Sequence, residues 1–84
     1  MTDMGLDAIG IVTEVEDAFG VELPDEAMEM KTVGELSDWI SRQVANYESD
    51  AVWQIVQRIV AENLNIPLAE VRPESRWIED LLVD

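Results

Sequence analysis

The sequence predicts a single all-α domain, and three observations carry that prediction. Apolar residues recur at steps of three or four in several segments, residues that start and stop helices flank those segments, and no run alternates apolar and polar with a two-residue period. The 84 residues hold one domain, and a fold of this size hides only roughly 60 to 65% of the surface its unfolded chain exposes. The core is therefore small. With no cysteine, neither a disulfide nor thiolate-ligated zinc can brace it, so packed helices must.

The first helix is predicted from Leu6, Ile9, Val12, Val15 and Phe19, with Asp3 as its N-cap and Gly20 ending it in the left-handed conformation. Val21, Glu22 and Leu23 bridge to Pro24, whose fixed φ suits the opening turn of a short second helix through Met28. Thr32 and Glu35 form a capping box at the head of a third helix, whose inner face carries Val33, Leu36, Trp39 and Ile40, with Val44 a turn further. Ser49 caps a fourth, the most strongly periodic: Val52, Ile55, Val56, Ile59, Val60 and Leu64, stopped by Asn65 and Pro67. The stretch beyond, punctuated by Pro67 and Pro73, is irregular and carries Val71, Trp77, Ile78, Leu81 and Leu82. Between Gly34 and Pro67 there is neither glycine nor proline. Two arrangements are compatible with that: a break near Asn46 to Ser49, where Asn, Ser and Asp cluster, or one long helix whose ends find cores in a second chain, a domain-swapped dimer.

Nineteen acidic side chains against five basic ones give a net charge of −14, which repels phosphate backbones and anionic lipid and disfavours nucleic acid or membrane as partners. No apolar stretch reaches the roughly 18 residues of a membrane span, and Met1 to Gly10 lacks the pattern of a signal peptide, so a cytoplasmic location is expected. Without histidine or cysteine the usual nucleophile and base pairs are excluded. Paired carboxylates such as Glu16 with Asp17 read as a solvated face, and none has the spacing of a calcium loop. The chain is not expected to be an enzyme, and no catalytic residue or metal site is assigned.

Two segments read together point further. Trp77 to Asp84, "WIEDLLVD", resembles the stretch just before the modified serine of acyl carrier proteins, commonly F-x-E-D-L-G-x-D-S-L-D. Leu6 to Glu26, "LDAIGIVTEVEDAFGVELPDE", is similar to the segment on the C-terminal side of that serine. The order is inverted, and joining Asp84 to Gly5 restores the family's linear sequence. "TVGELSDWI" from Thr32 resembles the family's last helix, and the run from Val52 to Leu81 its first helix and long loop. The resemblance thus implies a circularly permuted, acyl carrier protein-like four-helix bundle, in which residues 5–45 match the family's second half and residues 50–84 its first.

In that family a serine at the N-terminus of the second helix carries phosphopantetheine, and a helix N-terminus favours an attached anion. The matching position here is Gly5, which has no hydroxyl, and Ser37, Ser41, Ser49 and Ser75 sit in other contexts. The resemblance therefore carries the fold of an acyl carrier of fatty-acid or related metabolism, without its usual attachment. Docking to basic patches of acyl-handling enzymes is implied at Asp7, Glu16, Asp17, Glu26 and Glu29. Gly10 and Thr13 replace the family's frequent acid and methionine, Met4 replaces an acid, and Leu82 replaces a loop glycine. Leu6, Ile9, Val12, Val15, Ile55, Ile59 and Trp39 are expected to line the apolar centre. The alternative reading is a serine-free acidic interaction module, or a bundle that associates with itself.

Overall fold

Each helix of the computed structural model begins and ends where local backbone chemistry allows it. The structure describes residues 6–24, 30–77 and 79–81, with side chains from residue 9 onward. These residues form helices α1 (Leu6–Phe19), α2 (Val33–Gln43) and α3 (Ser49–Leu64), and a single 3₁₀ turn, Leu68–Glu70. They contain no strand, only an isolated antiparallel bridge between Thr32 and Arg76. The short helix expected from Pro24 to Met28 falls outside the described residues after Pro24, and so does the expected cap at Asp3.

Helix α1 stops at Gly20, whose φ of 66° is left-handed and whose N–H donates to the Glu16 carbonyl at 2.8 Å. Thr32 caps α2 from an extended conformation, its Oγ1 accepting the Glu35 N–H at 3.2 Å. The reciprocal bond of the capping box lands one residue earlier than expected: Glu35 Oε1 accepts the N–H of Lys31. At the start of α3 the expected cap is corrected. Ser49 is already helical, Glu48 is the cap residue, and its side chain makes no capping bond. At the other end Asn65 adopts φ 59°, ψ 47°, and the Ile66 N–H reaches the Ala61 carbonyl at 3.0 Å, which closes the helix as a Schellman turn.

The core lies where the three helices meet. Val15, Val33, Ile40, Val52, Val56 and Val60 are fully buried, joined by Ile11, Phe19, Leu36, Val44, Ile59, Ala61 and Val71. Each such aliphatic side chain contributes about 1.5–3 kcal/mol relative to an exposed one. The buried faces of α2 and α3 follow the predicted periodicity closely, with Trp39, Ile55 and Leu64 half-buried at their margins.

Helix α1 corrects the prediction. Ile9 is 52% exposed, whereas Ile11, outside the expected stripe, is buried. The cause is geometric. At about 100° per residue a step of three falls back by about 60°, so Leu6, Ile9, Val12 and Val15 sweep about half the circumference. Steps of four advance by only about 40°, which keeps Ile11, Val15 and Phe19 on one face.

Helices α2 and α3 separate at residues 44–48 and pack against each other within one chain. The continuous-rod alternative is thus not the arrangement found: Val44 leaves the helix at φ −114°, ψ 105°, and buries its side chain. Tyr47 then stacks edge-on against Phe19, ring centres 5.5 Å apart, which ties the connection back to α1.

The irregular stretch after α3 is fastened by backbone. Its carbonyls at Pro73 and Ser75 accept the first two N–H groups of α2, from Gly34 at 2.8 Å and Val33 at 3.0 Å, and the Trp77 N–H donates to Lys31. Those helix donors would otherwise lack partners. Gln57 on α3 donates to the carbonyls of Leu68 and Val71, both at 2.9 Å, and the Val71 side chain is buried in the core. The buried Ser75 hydroxyl accepts the Arg72 N–H at 3.0 Å and donates to the Glu70 carbonyl, closing the loop on itself.

Candidate attachment and docking site

Attachment of a phosphopantetheine arm needs a hydroxyl with room for a phosphodiester. Gly5 has none, and it lies outside the described residues, as do Met4, Glu26, Glu29, Leu82 and Asp84. The serines elsewhere do not replace it. Ser37 is buried against the core on α2, Ser75 is buried with its hydroxyl engaged in the loop, and Ser41 is half-buried. Ser49 is exposed, but Glu48 and Asp50 flank it, and their charge opposes a phosphodiester. None of the four serines combines an open hydroxyl with surroundings free of acidic neighbours.

The expected docking acids separate into different roles. Asp7 lies in the first turn of α1. Glu16 is half-buried, and its Oε2 accepts the Leu23 N–H at 2.9 Å, so it folds residues 20–24 back along the helix. That carboxylate holds the turn. Asp17 is exposed and free of any such bond among the described residues. It stands on the rim of an open cleft of about 380 Å³ between α1 and α3.

Ile55 and Ile59 form the buried side of this cleft, and the exposed Glu14, Asp17, Ala18, Arg58 and Glu62 its rim. Glu14 is held in place by the Asn63 amide, which also donates to the Ile59 carbonyl at 2.8 Å. Asn63 in turn lies against Gly10: a Cβ there would come within 2.5 Å of Asn63 Oδ1. The absence of a side chain at Gly10 thus lets α1 approach α3 closely. Among the described residues the rim forms no ion pair, and the salt bridges found are those of Arg76 with Asp80 at 3.2 Å and with Glu79 at 3.9 Å. There the Arg76 side chain, helped by its backbone N–H, holds the Asp80 carboxyl below the usual aspartate range.

The expected apolar centre is only partly assembled. Val15 and Ile59 are in the core, Val12 and Trp39 are at its edge, Ile55 faces the cleft and Ile9 points away. The sequence pattern does not single out Glu14 and Glu62 as companions of Asp17. Each looks like part of a solvated acidic face, and only the packing of α1 on α3 brings them to one rim.

Residues 4–40, which include Gly5, α1 and most of α2, match the family described as phosphopantetheine attachment site. An acyl carrier protein of Thermosynechococcus vestitus is 44% identical over 41 residues, 48% of this chain and 51% of that protein. In this segment, less than half of its length, the chain is similar to the acyl carrier proteins. Members of the family are carriers, not enzymes. The chain spans about half the length of the curated relative it matches. No solved structure matches it.

Proposed function

We propose that the chain is an acyl carrier-type domain with its halves in exchanged order, serving fatty-acid or related acyl metabolism in the cytoplasm by docking to acyl-handling enzymes. It does not itself carry phosphopantetheine. The observation behind this reading is Gly5, a residue without a hydroxyl that the resemblance aligns with the family's serine and that lies inside the segment matching the attachment-site family, while no other serine offers an open, uncrowded hydroxyl. The exchanged order draws support from the packing of α1, the counterpart of the family's second helix, against α3, the counterpart of its first. The net charge of −14 favours basic partner surfaces. No described helix is long and apolar enough to cross a membrane.

Intact mass after incubation with coenzyme A and a broad-specificity phosphopantetheinyl transferase tests the reading. The chain is expected to gain no mass and Gly5→Ser to gain one arm. A gain by the unaltered chain overturns the assignment of Gly5. Failure of Gly5→Ser to gain overturns the equivalence of that position to the family serine. The alternative, an acidic module that never served as a carrier, is supported by the uncommitted carboxylates of Asp17 and Glu62. Self-association draws less support, because α2 and α3 already bury their apolar faces on each other within one chain.

A further inference from the structure

We infer that residues 44–48 are a hinge through which two copies of the chain exchange halves. In the exchanged form α2, the hinge and α3 run as one helix from Val33 to Leu64, and α1 and α2 of one chain pack on α3 and the terminal loop of the other. The closed monomer described above is the resting form. The straightened helix is about 48 Å long at a rise of about 1.5 Å per residue, beyond the 37 Å of the closed chain's longest axis, so its two ends enter separate cores.

Most of what holds the closed fold together crosses the hinge. Helices α1 and α2 both pack chiefly on α3, and Val33 and Gly34 bond to Ser75 and Pro73. Exchange rebuilds these same contacts between chains, so their presence within one chain does not oppose it. The balance then rests on the hinge. Helices α1 and α3 stop at left-handed Gly20 and Asn65, whereas α2 ends at an extended Val44 and α3 begins at Glu48 with no side-chain cap. Residues 44–48 include neither glycine nor proline, and the N–H groups from Ala45 to Ala51 make no backbone hydrogen bond of good geometry. Straightening gives each of them a helical acceptor. Leu36, Ile40, Val44, Tyr47, Ala51 and Ile55 keep steps of three or four, so the apolar stripe continues through the straightened hinge. Against this stand two contacts that close the hinge, the burial of Val44 and the edge-on packing of Tyr47 against Phe19. The entropy of association and the repulsion between two chains at −14 also favour the monomer.

Size-exclusion chromatography with light scattering, on chain refolded at high concentration, tests the inference together with NMR. A dimer is expected beside the monomer, its share rising with protein concentration and with salt, which screens the like charges. Exchange requires the core to open, so the two species are expected to separate on the column. In a dimer assembled from ¹³C-labelled and unlabelled chains, filtered NOEs are expected between residue 32 of one chain and residue 76 of the other, which the closed fold pairs internally. Ala45→Gly weakens helix at an exposed hinge position in both chains, and is expected to lower the dimerisation constant about tenfold or more, about 1.4 kcal/mol per factor of ten. Tyr47→Ala removes a contact of the closed hinge and is expected to raise that constant by a similar factor. A parent chain that stays strictly monomeric at high concentration and high salt overturns the inference. So does a dimer that lacks those NOEs or is indifferent to Ala45→Gly. None of these readouts depends on the mass experiment on Gly5.

Discussion

Gly10 and Gly34 both lie where a helix comes close to a neighbour, yet they meet different kinds of atom. A Cβ on Gly10 would meet the end of the Asn63 side chain, which can swing away at the loss of its hydrogen bonds. A Cβ on Gly34 would come within 2.6 Å of the Pro73 carbonyl oxygen, the backbone atom that accepts Gly34's own N–H. That carbonyl cannot leave without carrying the Val33–Ser75 and Thr32–Arg76 pairings with it. Helix α1 is thus seated by adjustable side chains, and the Arg72–Trp77 loop by a set of mutually dependent backbone bonds. Close packing alone does not make a position intolerant; what matters is whether the atom in contact has another conformation to adopt.

The sharpest way to break this contrast is Gly34→Ala, expected to destabilise by on the order of 2–3 kcal/mol in chemical denaturation. A parent-like midpoint would show that the loop moves freely. Gln57→Ala removes the donor to both Leu68 and Val71 and is expected to cost about 1–2 kcal/mol, with faster amide exchange at Glu70 and Val71. Gly10→Ala gains about 0.8–1.0 kcal/mol of helix propensity and loses a comparable amount at Asn63, so a change within about 0.5 kcal/mol is expected. A large loss there would mean that Asn63 is as fixed as Pro73.

The smallest effect is expected at Asp80, whose carboxyl is held below its usual range by Arg76. A lowered folded-state value contributes stability above the ordinary aspartate range, and that contribution fades as pH falls through the lowered value. Asp80→Asn is therefore expected to lie slightly below the parent at neutral pH and to converge with it in acid, in thermal melts across that range. The pair is exposed, so the gap is small.

Residues that act through side-chain pattern are legible in the sequence, and those that act through backbone are not. The buried faces of α2 and α3, the cap at Thr32 and the left-handed Gly20 each follow from residue type and spacing. Ile9 falls off the expected face because a run of three-residue steps drifts around the helix, whereas the steps of four through Ile11, Val15 and Phe19 do not. Ser49 is of a type that favours capping, but the chain turns one residue earlier, at Glu48. The bonding of residues 73–77 to residues 31–34 leaves no mark in composition, since any residue supplies a carbonyl. At the candidate site the absent hydroxyl of Gly5 can be read directly. The cleft cannot, because Glu14, Asp17, Ile55 and Glu62 are united only by packing between distant segments.

The connection at residues 44–48 also bears on how the molecule reaches this structure. Helices α2 and α3 are neighbours in sequence and form the one short-range pairing among the described helices, a helical hairpin in the middle of the chain. The turn at Leu68–Glu70 also packs locally on α3, but the two outer flanks must close over long distances. Glu14 and Asn63 meet across 49 residues from the N-terminal side, and Arg76 returns to Thr32 from the C-terminal side. Each closure pays its own chain entropy before its contacts reward it. A hairpin that forms quickly and two flanks that settle onto it separately give a higher contact order than an up-and-down bundle of equal length, and slower folding than helix content alone suggests.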